Sequence, residues 1–327
     1  MLVYYVSFLI LSLIAISLIL IKLAPYIKLL DYPDGVRKIH KNCVPLTGGF
    51  CIFYGLIISS LFKDSLNCEI LLSVSIIFFL GIIDDMKNVK YYIRFLIQII
   101  ISVFIVYSNA LDIQNSLNTY AFLAPVLVLF IIVVINSFNF IDGIDGLTLS
   151  LSLVCLTSLF ISGMDSVLII SLIISCSVAF LFNMSIFGVK HKFFLGDSGS
   201  TLLGYLISIF IIKFMFSNEH TSHINASFIL LILVPLFDLF FVVFFVRILA
   251  FKNPFKGDRK HIHHVLKSLN FSDNFILIML ISVSLLFSIL YFLFNVEIIK
   301  YKTILLFLIL YFVLYLYLHI SNRNQKL

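Results

Sequence analysis

Tryptophan is absent from this chain of 327 residues, and charged residues are scarce at 12% of the sequence. Hydrophobic residues account for 62%. A soluble fold of this length could not hide that much apolar surface from water, so the composition excludes an ordinary soluble protein. Without tryptophan, tyrosine and phenylalanine must occupy the interfacial positions where tryptophan is often found in membrane proteins.

Cysteines are few and scattered, which excludes two kinds of framework. The five are Cys43, Cys51, Cys68, Cys155 and Cys176, and no two of them form a Cys-x-x-Cys pair. We therefore expect neither a disulfide scaffold nor a cysteine-based zinc site. Most of them lie in or near apolar runs, where we interpret them as small packing residues.

Repeated apolar runs predict an all-α polytopic membrane protein, because each can cross a hydrocarbon core of about 30 Å as a helix. The first run has no basic residue before Lys22 and no small-residue cleavage site after it, so we expect it to stay as a span. We treat residues 1–327 as a single integral-membrane domain. We predict about eleven transmembrane helices, at residues 2–22, 46–62, 70–83, 93–110, 119–137, 147–163, 166–185, 199–217, 225–247, 274–294 and 299–319.

Charge in the loops predicts the orientation. If the loops alternate sides, all but four of the 22 Lys and Arg residues lie on one side, the exceptions being Lys63, Lys213, Lys300 and Lys302. The positive-inside rule then places the N-terminus outside and the C-terminus in the cytoplasm. Because almost every chemically interesting side chain falls in the inner loops, we predict an active site that faces the cytoplasm.

The polar stretch at residues 136–146, Asn-Ser-Phe-Asn-Phe-Ile-Asp-Gly-Ile-Asp-Gly, follows an uncharged apolar run. Asn136, Asn139, Asp142 and Asp145 recur every three residues, which on a helix places them on roughly one face until the glycines break it. Carboxylates and amides at the boundary of the hydrocarbon favour a site for a hard cation or a phosphate. The plain alternative is a polar turn with glycine caps.

A second inner loop contains the adjacent carboxylates Asp84 and Asp85. Because neighbouring carboxylates repel each other, such a pair is often stabilised by a cation or by basic neighbours. Lys87, Lys90 and Arg94 are spaced for one helical face, which suits an anionic headgroup. The alternative is a solvated helix cap with ordinary salt bridges.

Two further motifs open apolar runs with small residues. Asp197 stands between Gly196 and a Ser-Gly-Ser run, where it could reach a metal while the following amides meet phosphate, or simply serve as an N-cap. The segment Thr47-Gly48-Gly49 could bring its amides to a phosphate, or pack closely against a neighbouring helix.

The largest inner loop contains Arg259 and the cluster His261-Ile262-His263-His264. A zinc site stays open, but no Cys or nearby Glu completes a usual ligand set, so contacts to phosphate, sugar or base are favoured. Asp238 lies within the preceding apolar run and is a functional candidate, with Arg247 or a bound cation as its partner. Together these inner motifs indicate Mg²⁺-assisted phosphoryl transfer at the membrane surface.

The motifs resemble those of the polyprenyl-phosphate N-acetylhexosamine-1-phosphate transferase family, in particular its undecaprenyl-phosphate GlcNAc-1-phosphate transferase branch. The resemblance covers most of the chain, at residues 37–49, 81–95, 136–147, 194–204 and 258–265. It implies a Mg²⁺-dependent phosphoglycosyl transferase of the bacterial inner membrane. Such an enzyme moves HexNAc-1-phosphate, here GlcNAc-1-phosphate, from a UDP-sugar to undecaprenyl phosphate, releases UMP, and begins cell-wall or lipopolysaccharide O-antigen synthesis.

The resemblance also implies partners and residue roles. The partners are undecaprenyl phosphate, a UDP-N-acetylhexosamine and the lipid bilayer, with a homodimer left open and no nucleic acid. Asn139 and Asp197 are expected to bind Mg²⁺, with Mn²⁺ as an alternative. Catalytic roles fall to Asp84, Asp85, Asp142 and Asp145. Substrate binding falls to Arg37, Lys38, His40, Lys90, Arg94, Arg259, His261, His263 and His264.

Two alternatives remain. The phospho-N-acetylmuramoyl-pentapeptide transferases belong to the same class but more often carry three consecutive histidines, which the His-Ile-His-His pattern at residues 261–264 disfavours. An ion-coupled transporter would place charges near the bilayer midplane on broken helices, whereas here Asp238 alone falls deep within a predicted span. The basic run at residues 87–91 departs from the family pattern. The residues around Pro254 are similar but not identical to those of the GlcNAc branch, so a modified HexNAc is an alternative for the sugar.

Overall fold

A computed structural model describes residues 2–33, 43–62, 67–108, 117–164, 167–217, 226–248, 251, 260–295 and 301–324. In these residues the chain is almost entirely helical, as the apolar runs predict. The α-helices are α1 Leu2–Leu23, α2 Gly48–Phe62, α3 Cys68–Lys87, α4 Tyr91–Tyr107, α5 Leu117–Ile141, α6 Leu147–Ile161, α7 Val167–Asn183, α8 Gly196–Ser217, α9 Leu233–Phe240, α10 Ile262–Ser268, α11 Asp273–Asn295 and α12 Tyr301–Asn324. A 3-10 segment at Ala226–Ile232 leads into α9, and a π-helical segment at Phe241–Ile248 continues it.

The lengths of the apolar helices identify a multi-pass membrane protein. Five segments are long and apolar enough to cross a bilayer, namely Val3–Leu23, Leu123–Ile141, Gly196–Phe216, Ser227–Ile248 and Asp273–Phe294. Shorter apolar helices accompany them at Gly48–Phe62, Tyr91–Tyr107, Leu147–Ile161, Val167–Asn183 and Leu305–Ser321. Each predicted span overlaps a helical segment of the described chain, while the number of crossings and their orientation stay predictions.

Helix α8 lies at the centre of the bundle, in contact with α2, α3 and α5. Its side chains are buried along most of its length, including Leu202, Leu206 and Ile209. Close approach is possible because small residues line it, and a Cβ on Gly204 would lie 2.8 Å from the Cα of Ile135 in α5. The N-terminus of α8 is therefore surrounded by the ends of several helices.

A short antiparallel ladder, which the sequence does not predict, joins the segment after α1 to the segment before α2. Strand β1 (Leu30–Asp31) pairs with β2 (Val44–Pro45), with Leu30 opposite Pro45. The carbonyl of Pro45 accepts a hydrogen bond from the amide of Phe194 at 2.8 Å. The ladder thereby lies beside the segment that enters α8.

Candidate active site

The first turn of α8 is capped by a carboxylate from another helix. Asp85, near the end of α3, accepts hydrogen bonds from the amides of Asp197 at 2.8 Å and Ser198 at 3.1 Å, one to each carboxylate oxygen. These are amides that have no partner within a helix, and a negative charge is favoured at a helix N-terminus. Because Asp85 takes the capping role, the Asp197 side chain is available for other contacts.

Two glycines make this capping geometry possible. A Cβ on Gly81 of α3 would lie 2.7 Å from the amide nitrogen of Ser198, so α3 meets the first turn of α8 without a side chain between them. Gly196 has φ +74°, and a Cβ there would lie 2.7 Å from the Asp85 carboxylate. A larger residue at either position would separate Asp85 from the amides that it caps.

Arg94 of α4 links two of the predicted carboxylates. Its Nη1 is ion-paired with Asp84 and lies 3.1 Å from Oδ2 of Asp197. The other oxygen of Asp84 accepts the Val89 amide at 2.7 Å. One guanidinium thus neutralises carboxylates from two different helices, which would otherwise repel each other.

Asn139 connects α5 to the same group. Its Nδ2 donates to Oδ1 of Asp197 at 2.9 Å and to the hydroxyl of Ser200 at 3.1 Å. One turn earlier, Asn136 donates to Oε1 of Gln98 at 2.8 Å. A cleft with about 320 Å³ of empty space, its mouth included, is lined by Ile77, Leu80, Gly81, Asp84, Arg94, Gln98, Asn136, Asn139, Asp197 and Thr201.

The donor set in this cleft suits a hard cation that shares its ligands with a substrate. Asp84, Asp197 and Asn139 offer the oxygens that Mg²⁺ prefers. Within the part of the chain that the structure describes, no three His, Cys, Asp or Glu side chains converge closely enough to hold a metal ion by themselves. Mg²⁺ is commonly bound by one or two carboxylates together with substrate phosphates, so these residues fit it in that manner.

The loop after α5 packs against the histidine helix α10. A Cβ on Gly143 would lie 2.7 Å from Cδ2 of His263, so the imidazole rests directly on the glycine backbone. His263 is 1% exposed, and burial lowers the pKa of its ring to about 3, which keeps it neutral. Among the described residues, its Nδ1 has no hydrogen-bond partner.

The two aspartates of this loop have different surroundings. Loss of solvent around the half-buried Asp142, together with the charges of Asp197 and Asp145, raises the pKa of its carboxyl to about 7. Asp145 forms an ion pair with Lys192. The next residue, Gly146, donates its amide to Oδ1 of Asn183 at 2.5 Å, which ties the loop to α7.

Asp238 is buried beneath α10. It accepts hydrogen bonds from Nδ1 of His261 at 2.6 Å, from the Ile262 amide at 2.7 Å and from the Tyr315 hydroxyl. The sequence predicts Arg247 or a bound cation as its partner. The structure joins Asp238 to the histidine helix and to α12, and a bound cation stays a prediction.

The structure brings most of the described site predictions into two adjoining groups. Asp84, Asp85, Arg94, Asn139 and Asp197 surround the N-terminus of α8. Asp142, His261, His263 and His264 lie at α10 and the loop after α5. Asp145 pairs with Lys192, and Lys90 is exposed with its ammonium 5.8 Å from the Tyr92 ring. Arg37, Lys38, His40 and Arg259 lie outside the described residues.

Two local predictions are decided by the backbone. Helix α5 ends at Ile141, so Asn136 and Asn139 are helical while Asp142 and Asp145 follow in the loop, as the glycines indicate. The amides of Gly48 and Gly49 donate to the carbonyls of Phe194 and Leu195 at 3.0 and 3.1 Å. The plain alternative for that segment is therefore correct, because these amides pack two segments together and are not directed at a phosphate.

Several polar residues of the site are missing from the sequence predictions. They are Gln98 and Thr201 in the cleft, Lys192 and Asn183 beside the loop after α5, and Tyr315 beneath α10. A lone glutamine in an apolar run was a usable signal for Gln98. Tyr315 had none, since the last span contains several tyrosines.

Comparison with known proteins relates the chain to transferases. The model of glycosyl transferase family 4 matches residues 68–215. A probable undecaprenyl-phosphate N-acetylglucosaminyl 1-phosphate transferase of Bacillus subtilis is 30% identical over 330 residues, which cover 95% of this chain and 88% of that protein. The undecaprenyl-phosphate alpha-N-acetylglucosaminyl 1-phosphate transferases of Yersinia pestis and Escherichia coli K12 are 29% and 30% identical, each match covering 79% of this chain and 75% of the relative.

Proposed function

The chain belongs to glycosyl transferase family 4, and on that premise we propose that it transfers GlcNAc-1-phosphate from UDP-GlcNAc to undecaprenyl phosphate. An oxygen of the lipid phosphate forms a bond to the β-phosphorus, the diphosphate P–O bond breaks, and UMP leaves. The observation that carries the proposal is the convergence of Asp84, Arg94, Asn139 and Asp197 on one cleft. The relatives' names favour this reaction over the pentapeptide transferase and the transporter.

The cleft suits the lipid phosphate. Arg94 lies in its wall with Gln98 and Asn136, while Ile77 and Leu80 provide an apolar side for a prenyl chain. A phosphate monoester has its second pKa at about 6, so it is largely a dianion at neutral pH and needs positioning more than deprotonation. The Arg94 guanidinium can supply that positioning through a bidentate contact.

Asp197, Asn139 and Asp84 are the residues that would hold Mg²⁺, with Mn²⁺ as an alternative, together with the substrate diphosphate. A bound Mg²⁺ would neutralise the charge that develops on departing UMP. The chain's own contribution is to fix these oxygens: Asp85 and Gly81 hold the first turn of α8 in place, and Asn139 orients Asp197.

The nucleotide sugar is assigned to the histidine side. His261, His263 and His264 lie on or beside α10, next to the loop that carries Asp142. Arg259 precedes this helix in the chain and can contribute charge to the same substrate. We place this site on the cytoplasmic side of the bacterial inner membrane, where the product would start an envelope polysaccharide such as O-antigen.

The test is turnover by the purified protein in detergent or nanodiscs, with UMP detection. UDP-GlcNAc and undecaprenyl phosphate with Mg²⁺ should yield UMP and a lipid-linked diphospho-sugar, and omission of either substrate should abolish both. Turnover restricted to UDP-MurNAc-pentapeptide would replace the proposed substrate. Vesicle uptake of UDP-GlcNAc without UMP release would replace the transferase with a transporter.

A further inference from the structure

Asp238 is an ionisable residue in the middle of the apolar segment Ser227–Ile248, and it is 1% exposed. Burying a carboxylate there is costly unless its oxygens are satisfied. Its three hydrogen bonds come from His261, the Ile262 amide and Tyr315. Three donors around two oxygens match a carboxylate, which can only accept.

This arrangement fixes the tautomer and the plane of the His261 ring. The acceptor at 2.6 Å requires the proton on Nδ1, which leaves Nε2 as the nitrogen that can meet a ligand. The ring also lies near Phe140, at 5.4 Å between centroids, and nearly parallel to His263, at 6.2 Å between centroids. The hydrogen bond to Asp238 therefore sets both the tautomer and the orientation of His261.

Tyr315 brings the C-terminal helix into this arrangement. It lies on α12, is 1% exposed, and donates its hydroxyl to the same Asp238 oxygen that accepts the Ile262 amide. One turn earlier on α12, Tyr311 is also buried, but its hydroxyl has no hydrogen-bond partner among the described residues. The two tyrosines therefore differ in whether the hydroxyl donates a hydrogen bond to Asp238.

We propose that Asp238 and Tyr315 are positioning residues for His261, so that α12 supports the binding of the nucleotide sugar from outside the residues matched by the family model. The hydroxyl of Tyr315 holds the carboxylate, the carboxylate holds the imidazole, and Nε2 of His261 meets the diphosphate or sugar. The identity of the ligand rests on the proposed function, while the positioning itself rests on the contacts around Asp238.

Kinetics test the consequence for binding. Tyr315→Phe should raise KM for UDP-GlcNAc by about tenfold, the effect of one hydrogen bond to a charged group, with KM for undecaprenyl phosphate nearly unchanged. Asp238→Asn should act in the same direction and more strongly. Tyr311→Phe is the matched control and should retain both wild-type constants. Equal effects of Tyr315→Phe and Tyr311→Phe, or equal changes in both KM values, would overturn the proposal.

A second measurement needs no turnover. Diethyl pyrocarbonate modifies accessible imidazoles, and fragmentation mass spectrometry can separate modification at His261 from that at His263 and His264. Tyr315→Phe should increase the modification rate of His261 severalfold over the wild type, and Tyr311→Phe should not. If the protein releases UMP but Tyr315→Phe leaves the modification rate of His261 unchanged, the positioning role is rejected. An increased rate in a protein that releases no UMP would reject the proposed function and keep the positioning.

Discussion

The imidazole of His263 lies directly on the backbone of Gly143, where any side chain would overlap it. The contact joins the Asp-Gly-x-Asp-Gly loop to the His-x-His-His helix, two motifs that are far apart in the chain. The glycine is thus required by the histidine, which leaves no room for a Cβ at this position. The two motifs form one surface beside the cleft at α8.

This contact predicts a specific coupling. Gly143→Ala should reduce UMP release by about tenfold or more, because a small displacement of a positioned group is costly. His263→Ala removes the ring that the new methyl group meets, so adding Gly143→Ala to that variant should have little further effect. A double-mutant cycle on kcat/KM measures the coupling, and fully additive losses would show that the contact is unimportant.

Asp197 is expected to be essential for turnover but not for folding. Asp197→Asn keeps its volume but removes the charge that faces Arg94, and turnover should fall by about 10²-fold or more. Asn139→Ala should act in the same direction. Asp273→Asn is the matched control, since Asp273 also lies in the first turn of a helix and pairs with Lys267. Thermal unfolding of the three variants checks that all of them are folded. Titration of their activity with Mg²⁺ then reports the loss of metal use separately.

Arg94 is expected to act on the lipid substrate. Arg94→Lys retains the charge but loses the planar fork, and should raise KM for undecaprenyl phosphate more than KM for UDP-GlcNAc. Lys87→Ala, a change at an exposed basic residue at the end of α3, provides the comparison. A larger change in KM for the nucleotide sugar would move Arg94 to the other substrate.

Asp85 is expected to stabilise the first turn of α8. Asp85→Ala leaves the Asp197 and Ser198 amides uncapped and should lower the free energy of unfolding by about 1 kcal/mol. Thermal unfolding in detergent measures the change. If Asp85→Ala were as stable as the wild type but inactive, the residue would have a direct role in catalysis instead.

Acid should destabilise the folded protein through His263. Burial lowers the pKa of its ring to about 3, whereas the pKa of a histidine in an unfolded chain is about 6.5. Between those values the unfolded chain binds a proton that the folded chain does not, so stability falls as the pH drops through that window. The decrease in Tm between pH 7 and pH 5 should be smaller for His263→Gln than for the wild type. His191→Gln, at an exposed histidine, should behave as the wild type does.

Much of the candidate site is readable from the sequence because polar residues are conspicuous in apolar runs. Asp84, Asn139 and Asp197 stand out in this way, and the structure gathers them at α8. The partners of Asp238 are not readable, because His261 and Tyr315 lie 23 and 77 residues away from it. The capping role of Asp85 is equally hidden, since its amide partners are 112 and 113 residues distant.

The sequence by itself determined the class of protein, its helical spans and the kinds of side chain available for chemistry, since hydropathy and local spacing depend only on neighbouring residues. The tertiary structure decided which oxygen faces which donor. In the structure Asp85 caps the first amides of α8, and Arg94 pairs with two carboxylates. The Gly48 and Gly49 amides bond to the segment before α8. Such choices depend on helices meeting at close range, where glycines at Gly81 and Gly143 allow contacts that no local pattern records.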